Sequence, residues 1–260
     1  MSKLKIGWKR LLLVVTVGLA LAVGGFVVCA ATPSGSTMPE ALAALNSDNQ
    51  VTVTQDRWLV FTPSTTIPDT GFIIYPGGRV LANAYAPLAH SLAAKGYEVV
   101  IVSMPLNLAI FGVNAAQDVI AAYPSIQHWA LGGHSLGGAM AANFVKSHPD
   151  VKIVQGLVFW AAYPQASDTL ADRDELIVTS IHGSLDGLAT VAKVEESRAY
   201  LPEETTFITI EGGNHAYFGW YGNQPGDNPA TITRADQQQQ VFAATLKVLR
   251  AISGKSTVSS

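Results

Sequence analysis

Residues Leu131 to Val145, LGGHSLGGAMAANFV, constrain this chain more than any other stretch. Gly133-His134-Ser135-Leu136-Gly137 fits the pattern G-x-S-x-G, with apolar residues before it (His128 to Leu131) and a small-residue helical stretch after it. Five letters alone match often by chance, since Gly and Ser are abundant. The context is what counts: a buried strand, a sharp turn and a helix, with a serine at the turn. Such a turn forces its serine into a disfavoured backbone conformation. It also needs glycine two residues before and two after, where side chains would collide with the neighbouring strand and helix. The alternative is a Gly-rich loop with a solvent-facing serine.

Around this turn the pattern is of alternating strands and helices. Val51-Thr52-Val53-Thr54 and Trp58-Leu59-Val60-Phe61 predict a pair of edge strands. Apolar runs at Phe72–Tyr75, Tyr97–Val102, His128–Leu131, Val154–Trp160, Ile177–Ile181 and Phe207–Ile210 predict six buried strands. Helices are expected around 38–45, 85–92, 114–122, 136–146, 189–200 and 235–252, the second from Tyr85, Leu88, Ala89 and Leu92 on one stripe. The prediction is an α/β fold: a mostly parallel sheet of about eight strands with helices on both faces. The connection between the Val154 and Ile177 strands leaves no room for a lid domain. It carries Asp168, Asp172, Asp174 and Glu175, which predict a solvated face and are the rivals to any other acid after the serine.

Lys3, Lys5, Lys9 and Arg10 precede Leu11–Ala31, 21 residues without a charge. This predicts a signal peptide or an N-terminal membrane anchor, with Thr32–Ser36 as a short linker, so residues 1–36 are set apart from a catalytic domain at 37–260. Either form puts the body outside the cytoplasm, membrane-anchored or secreted, because the positive end stays inside. Cys29 is the single cysteine, and Val28 before it argues against lipoprotein attachment. The net charge of −3 provides no basic face for nucleic acid. Nothing in the sequence bears on oligomeric state.

A serine nucleophile needs a base, and the base an orienting carboxylate. Where strand, turn and helix carry the serine in this way, the order along the chain is Ser, acid, His. Of six histidines, only His182 and His215 follow Ser135 outside a helix end. His215 stands in the Gly-rich loop after the last core strand and is the expected base; His182, within a strand end, is expected to be structural. Asp186 lies just past a strand end in a turn closed by Gly187, and is the expected acid. Leu136, directly after the serine, and Gly78, in Pro76-Gly77-Gly78 after the Phe72 strand, are the expected backbone donors to an oxyanion, with Gly77 or Arg79 as alternatives to Gly78. Gly77, Tyr217 and Phe218 are candidates for a substrate pocket. Gly226-Asp227-Asn228 has one carboxylate and no spaced repeat, so no metal is predicted.

GGHSLGG, HGSLDG and GGNHAYFG, in that order, resemble an α/β-hydrolase. Over about residues 50–252 the chain is similar to the small lid-less hydrolases related to dienelactone hydrolase. The stretch from IIYPGG to MPLNLA resembles an exported or membrane-anchored bacterial subset. Dienelactone hydrolases proper use a cysteine where this chain has Ser135, so their substrate is not implied. The resemblance implies hydrolysis of a small-molecule ester or related acyl compound through Ser135, Asp186 and His215, with no metal and no organic cofactor. Acyl transfer on the same residues, or a non-catalytic binding module on the scaffold, would fit the same sequence.

Overall fold

A computed structural model describes residues 7–254. Eight strands form one sheet: β1 (Val51–Gln55), β2 (Leu59–Pro63), β3 (Thr70–Tyr75), β4 (Glu98–Ile101), β5 (His128–His134), β6 (Val154–Trp160), β7 (Ile177–Gly183) and β8 (Thr206–Ile210). Their order is β1-β2-β4-β3-β5-β6-β7-β8. β1 and β2 pair antiparallel, β2 joins β4 antiparallel, and β3 through β8 run parallel. This is the mostly parallel α/β sheet expected from the sequence, with no further large domain among the described residues.

Period-two alternation explains the two cores. On β5 and β6, Trp129, Leu131, Leu157 and Phe159 face one side, and Ala130, Val158 and Trp160 the other. Helices α3 (Ala86–Ala93) and α7 (Arg234–Ile252) cover the second side; α4 (Ala115–Ala122) and α5 (Leu136–Ser147) cover the first. α2 (Pro39–Ala43) packs near α3. Thr233 caps α7 reciprocally with Asp236.

The expected helix over 189–200 is shorter. It starts at Val191, as α6 (Val191–Glu196), and tightens into a 3-10 turn over Ser197–Tyr200. Its first residues are taken by another acceptor, since the amides of Leu188 and Ala189 donate to Asp186 Oδ1 at 2.8 and 2.7 Å. The acidic stretch is not wholly solvated either. Asp168 is buried and accepts from Asn143 Nδ2 at 2.9 Å, while Asp172, Asp174 and Glu175 are exposed. Asn143 projects from α5, so the loop folds back onto that helix instead of facing water.

Helix α1 (Trp8–Ala31) precedes all of this. Its Leu11–Ala31 segment has mean hydropathy 2.7, is not buried by the body, and is long and apolar enough to cross a membrane. The segment after it is not a free linker. Ser34 N–H donates to Arg79 O at 2.7 Å, Met38 N–H to Trp220 O at 3.0 Å, and Arg79 Nε to Thr32 O at 2.9 Å.

Candidate active site

β5 ends at His134, and the next residue is held at φ 53°, ψ −123°. That backbone region is costly for a residue with a side chain, and it persists here because the surroundings leave no alternative. A Cβ at Gly133 would lie 2.3 Å from Tyr75 O, and one at Gly137 only 2.1 Å from the same oxygen. Both glycines are therefore required where α5 leaves the sheet against β3. Ser135 N–H donates to Trp160 O at 2.9 Å, tying the turn to β6.

Ser135, Leu136 and His215 line one cavity of about 260 Å³ at the carboxyl edge of the sheet. Asp186 stands behind the histidine. Its carboxylate oxygens accept from His215 Nδ1 at 2.9 and 3.1 Å, and both side chains are buried. Nδ1 donates to the carboxylate, so Nε2 is left without a proton and can act as a base. Nε2 is buried and has no hydrogen-bond partner among the described residues; Ser135 shares its cavity without being bonded to it. The N–H of Leu136 opens α5, where a helix offers no acceptor of its own. Gly78 N–H is free of partners among the described residues, and its Cα abuts Leu136, since an added Cβ would lie 3.3 Å from Leu136 Cδ2. Gly78 and Leu136 are thus neighbours in space, on the two segments that leave β3 and β5.

The sequence pattern of the Alpha/beta hydrolase family matches residues 71–239, well over half of the chain. The chain belongs to the alpha/beta hydrolase family.

Solved structures agree on the fold of this alpha/beta hydrolase. A predicted CIB-like hydrolase from Thermoplasma acidophilum superimposes with a TM-score of 0.58 at 15% identity, covering 77% of this chain and 99% of that one. A thermophilic esterase from the Planctomycetes species Thermogutta terrifontis gives 0.56 at 12% identity, with 81% and 95% covered. TT1662 from Thermus thermophilus gives 0.55 at 14%, with 77% and 98% covered. Among curated proteins none matches significantly.

Three expected pocket residues of the hydrolase do not line the Ser135 cavity. Gly77 is buried, its N–H donating to Tyr85 Oη at 2.9 Å. Phe218 is fully buried and stacks on His134, ring centroids 5.9 Å apart. Tyr217 lies beneath the Arg234 guanidinium at 4.1 Å. Arg234 explains the placement: it donates to the carbonyls of Ala216, Gly219 and Gly222, so the aromatic run is clamped onto α7. Small side chains form the cavity instead, among them Ala139, Ala161, Ala162 and Ala189, with Tyr163 and Leu188. His182 is apart from them, bonded through Nε2 to Thr209 Oγ1 on β8 at 3.2 Å.

Two arrangements escaped the sequence. Tyr85 Oη accepts from Gly77 and meets Nδ1 of His134 at 2.9 Å; the hydroxyl proton goes to that nitrogen. His134 is fully buried, and burial, then the nearby His215 ring at 4.5 Å, push its pKa well below the usual histidine range. It is a neutral strut between the Gly77-Gly78 loop and the base. Asp227 is the second. Its Oδ1 accepts the amides of Gly187 and His215 at 3.1 and 3.2 Å, and Oδ2 that of Ala216 at 2.8 Å. The only signal was an Asx-type turn motif, Gly-Asp-Asn, which points to a local bend and not to a distant loop.

Proposed function

We propose that the protein is a serine hydrolase that cleaves a carboxylic ester or related acyl bond. Ser135 Oγ attacks the carbonyl carbon while His215 Nε2 takes its proton and Asp186 stabilises the imidazolium. The amides of Leu136 and Gly78 bind the oxyanion. The tetrahedral intermediate collapses, the C–O bond to the alcohol breaks, and His215 returns the proton to the leaving oxygen. Water, deprotonated by the same nitrogen, then releases the acid and restores the serine.

One observation carries this reading: a buried Asp186–His215 pair at 2.9 Å, whose histidine shares a cavity with a serine at φ 53° on a strand-to-helix turn. The esterase among the fold relatives is in keeping with it. At about 260 Å³ the cavity is smaller than the ~300–1,000 Å³ of pockets for drug-sized ligands, which favours a short acyl group. The kinship to lid-less hydrolases is supported by the short connection between β6 and β7. An N-terminal cationic flank and the apolar α1 support a body held outside the cytoplasm on a membrane anchor.

Labelling by a fluorophosphonate probe tests the chemistry without a known substrate. The wild-type chain is expected to label and Ser135→Ala to lose labelling and ester hydrolysis by a thousandfold or more, on the order seen when members of such a triad are removed. Unchanged turnover in a folded Ser135→Ala protein would refute the mechanism.

A further inference from the structure

The six parallel strands end at one edge, and Asn107 and Arg79, which bond to the end of α1, lie there too. Asn107 Nδ2 donates to Ala31 O at 3.2 Å, and Arg79, next to Gly78, to Thr32 O. Phe26 of α1 meets Phe111 edge-on, with centroids 6.5 Å apart. Phe111 belongs to the segment after β4, Pro105-Leu106-Asn107-Leu108-Ala109-Ile110-Phe111, which carries no charge. Ile110 and Phe111 are 47% and 49% exposed, large apolar side chains on the edge that holds the site.

We infer that α1 is retained and holds this edge against the lipid bilayer, that Ile110 and Phe111 form a second contact with the bilayer, and that the enzyme draws apolar esters dissolved in lipid. The inference rests on the anchor and hydrolase reading given above. Depth supports it. Phe26 is five residues from the end of α1, about 7.5 Å along the axis at 1.5 Å per residue. Phe111, packed on it, falls within the ~5–10 Å to which interfacial apolar elements sink. Flanking chemistry agrees. Trp58 and Arg57 stand at the same edge, just before β2, and line a cavity with Ile110 and Phe111. Tryptophan favours the headgroup level, and the Arg57 guanidinium lies over the Trp58 ring while pairing with Asp118 in the same cavity. The segment also abuts the site, since a Cβ on Gly78 would lie 3.7 Å from Leu108 Cδ2 and 3.3 Å from Leu136 Cδ2. A substrate leaving lipid at Phe111 is then a few side chains from Ser135.

Spin-label depth measurements on the full chain in phosphatidylcholine vesicles test this. Cys29→Ser removes the native thiol, and single substitutions Phe111→Cys and Ile67→Cys carry the nitroxide. Ile67 is exposed at the opposite edge, before β3. The label at 111 is expected to be reached by oxygen and shielded from a water-soluble nickel complex, with the reverse at 67. Equal nickel access at both positions in vesicle-bound protein would overturn the orientation and leave the anchor standing. Protein that fails to sediment with vesicles would overturn both. A second arm compares turnover of a vesicle-dissolved ester with that of a water-soluble one. The ratio is expected to fall roughly tenfold or more in Ile110→Ser/Phe111→Ser, given the burial of two large apolar groups. An unchanged ratio contradicts the inference, and no turnover on either ester in wild type contradicts the hydrolase reading, whatever the depths show.

Discussion

Asp227 accepts the backbone N–H of His215 at 3.2 Å, with the oxygen that also accepts from Gly187. One carboxylate therefore ties the loop of the base to the loop of its acid partner. Asp227→Asn puts an amide where backbone donors converge, leaving at least one unpaired at about 1–3 kcal/mol. We expect kcat to fall about tenfold to a hundredfold, with KM little changed and a melting transition still present. Stopped assays and a thermal scan on the same preparation check this; a variant that melts lower yet keeps wild-type kcat would reduce Asp227 to a structural clasp.

His215→Ala should abolish turnover as fully as Ser135→Ala. His182→Ala removes a bond to Thr209 within the sheet and should cost stability but not chemistry. If folded His182→Ala protein is the slower enzyme, the base has been misassigned.

Tyr85→Phe deletes the acceptor of a buried amide, Gly77 N–H, and the donor to His134. The expected loss is about 1–3 kcal/mol of stability. Because the freed loop carries Gly78, kcat should drop more than KM rises. Denaturant unfolding with steady-state kinetics separates the two effects.

Glu98 is buried on β4, accepts from Thr62 Oγ1 at 2.8 Å, and burial raises its pKa from 4.5 to about 7. A carboxyl with a raised folded pKa binds its proton more tightly in the native state. Its contribution is intact below about pH 4.5 and is lost as pH rises toward 7, by roughly 3 kcal/mol in all. Glu98→Gln keeps an acceptor for Thr62 without the charge, so its stability should be flatter across that window. Chemical unfolding at half-unit pH steps measures the slope.

The cavity around Ser135 is walled in part by four alanines and holds about 260 Å³. In a series of nitrophenyl esters, kcat/KM should peak at acyl chains of no more than about eight carbons, each methylene gaining ~0.8 kcal/mol only while wall remains to contact. A rising trend through sixteen carbons, about twice that length, would mean that the chain finds a groove elsewhere.

The parallel strands were legible because a sheet covered on both faces leaves apolar runs, and the antiparallel edge pair β1 and β2 from short β-prone runs, alternating in β1 and apolar in β2. The meeting of Asp186 with His215 was legible from chain order and from the glycines around each. Tyr217 and Phe218 were not, since an aromatic side chain beside a base serves a pocket or a core equally well. What decided it was Arg234, far along the chain and indistinguishable in sequence from a surface cation. Asp227 and the Tyr85–His134 pair escaped for a similar reason: their partners are backbone amides of distant loops, and backbone groups leave no trace in the letters. Asp168 was misjudged with its acidic neighbours because Asn143, its donor, lies on another element.

The segment following α1 has a mechanical consequence. A loose tether of seven residues would let a body wander by about 15 Å, at ~5–6 Å times the square root of length. Here Ser34 and Met38 are hydrogen-bonded to Arg79 and Trp220, so the slack is gone. Docked in that way, the catalyst would meet substrate by lateral diffusion within one leaflet. Its rate would follow the mole fraction of ester in that leaflet, so adding inert lipid would slow it even at constant bulk concentration.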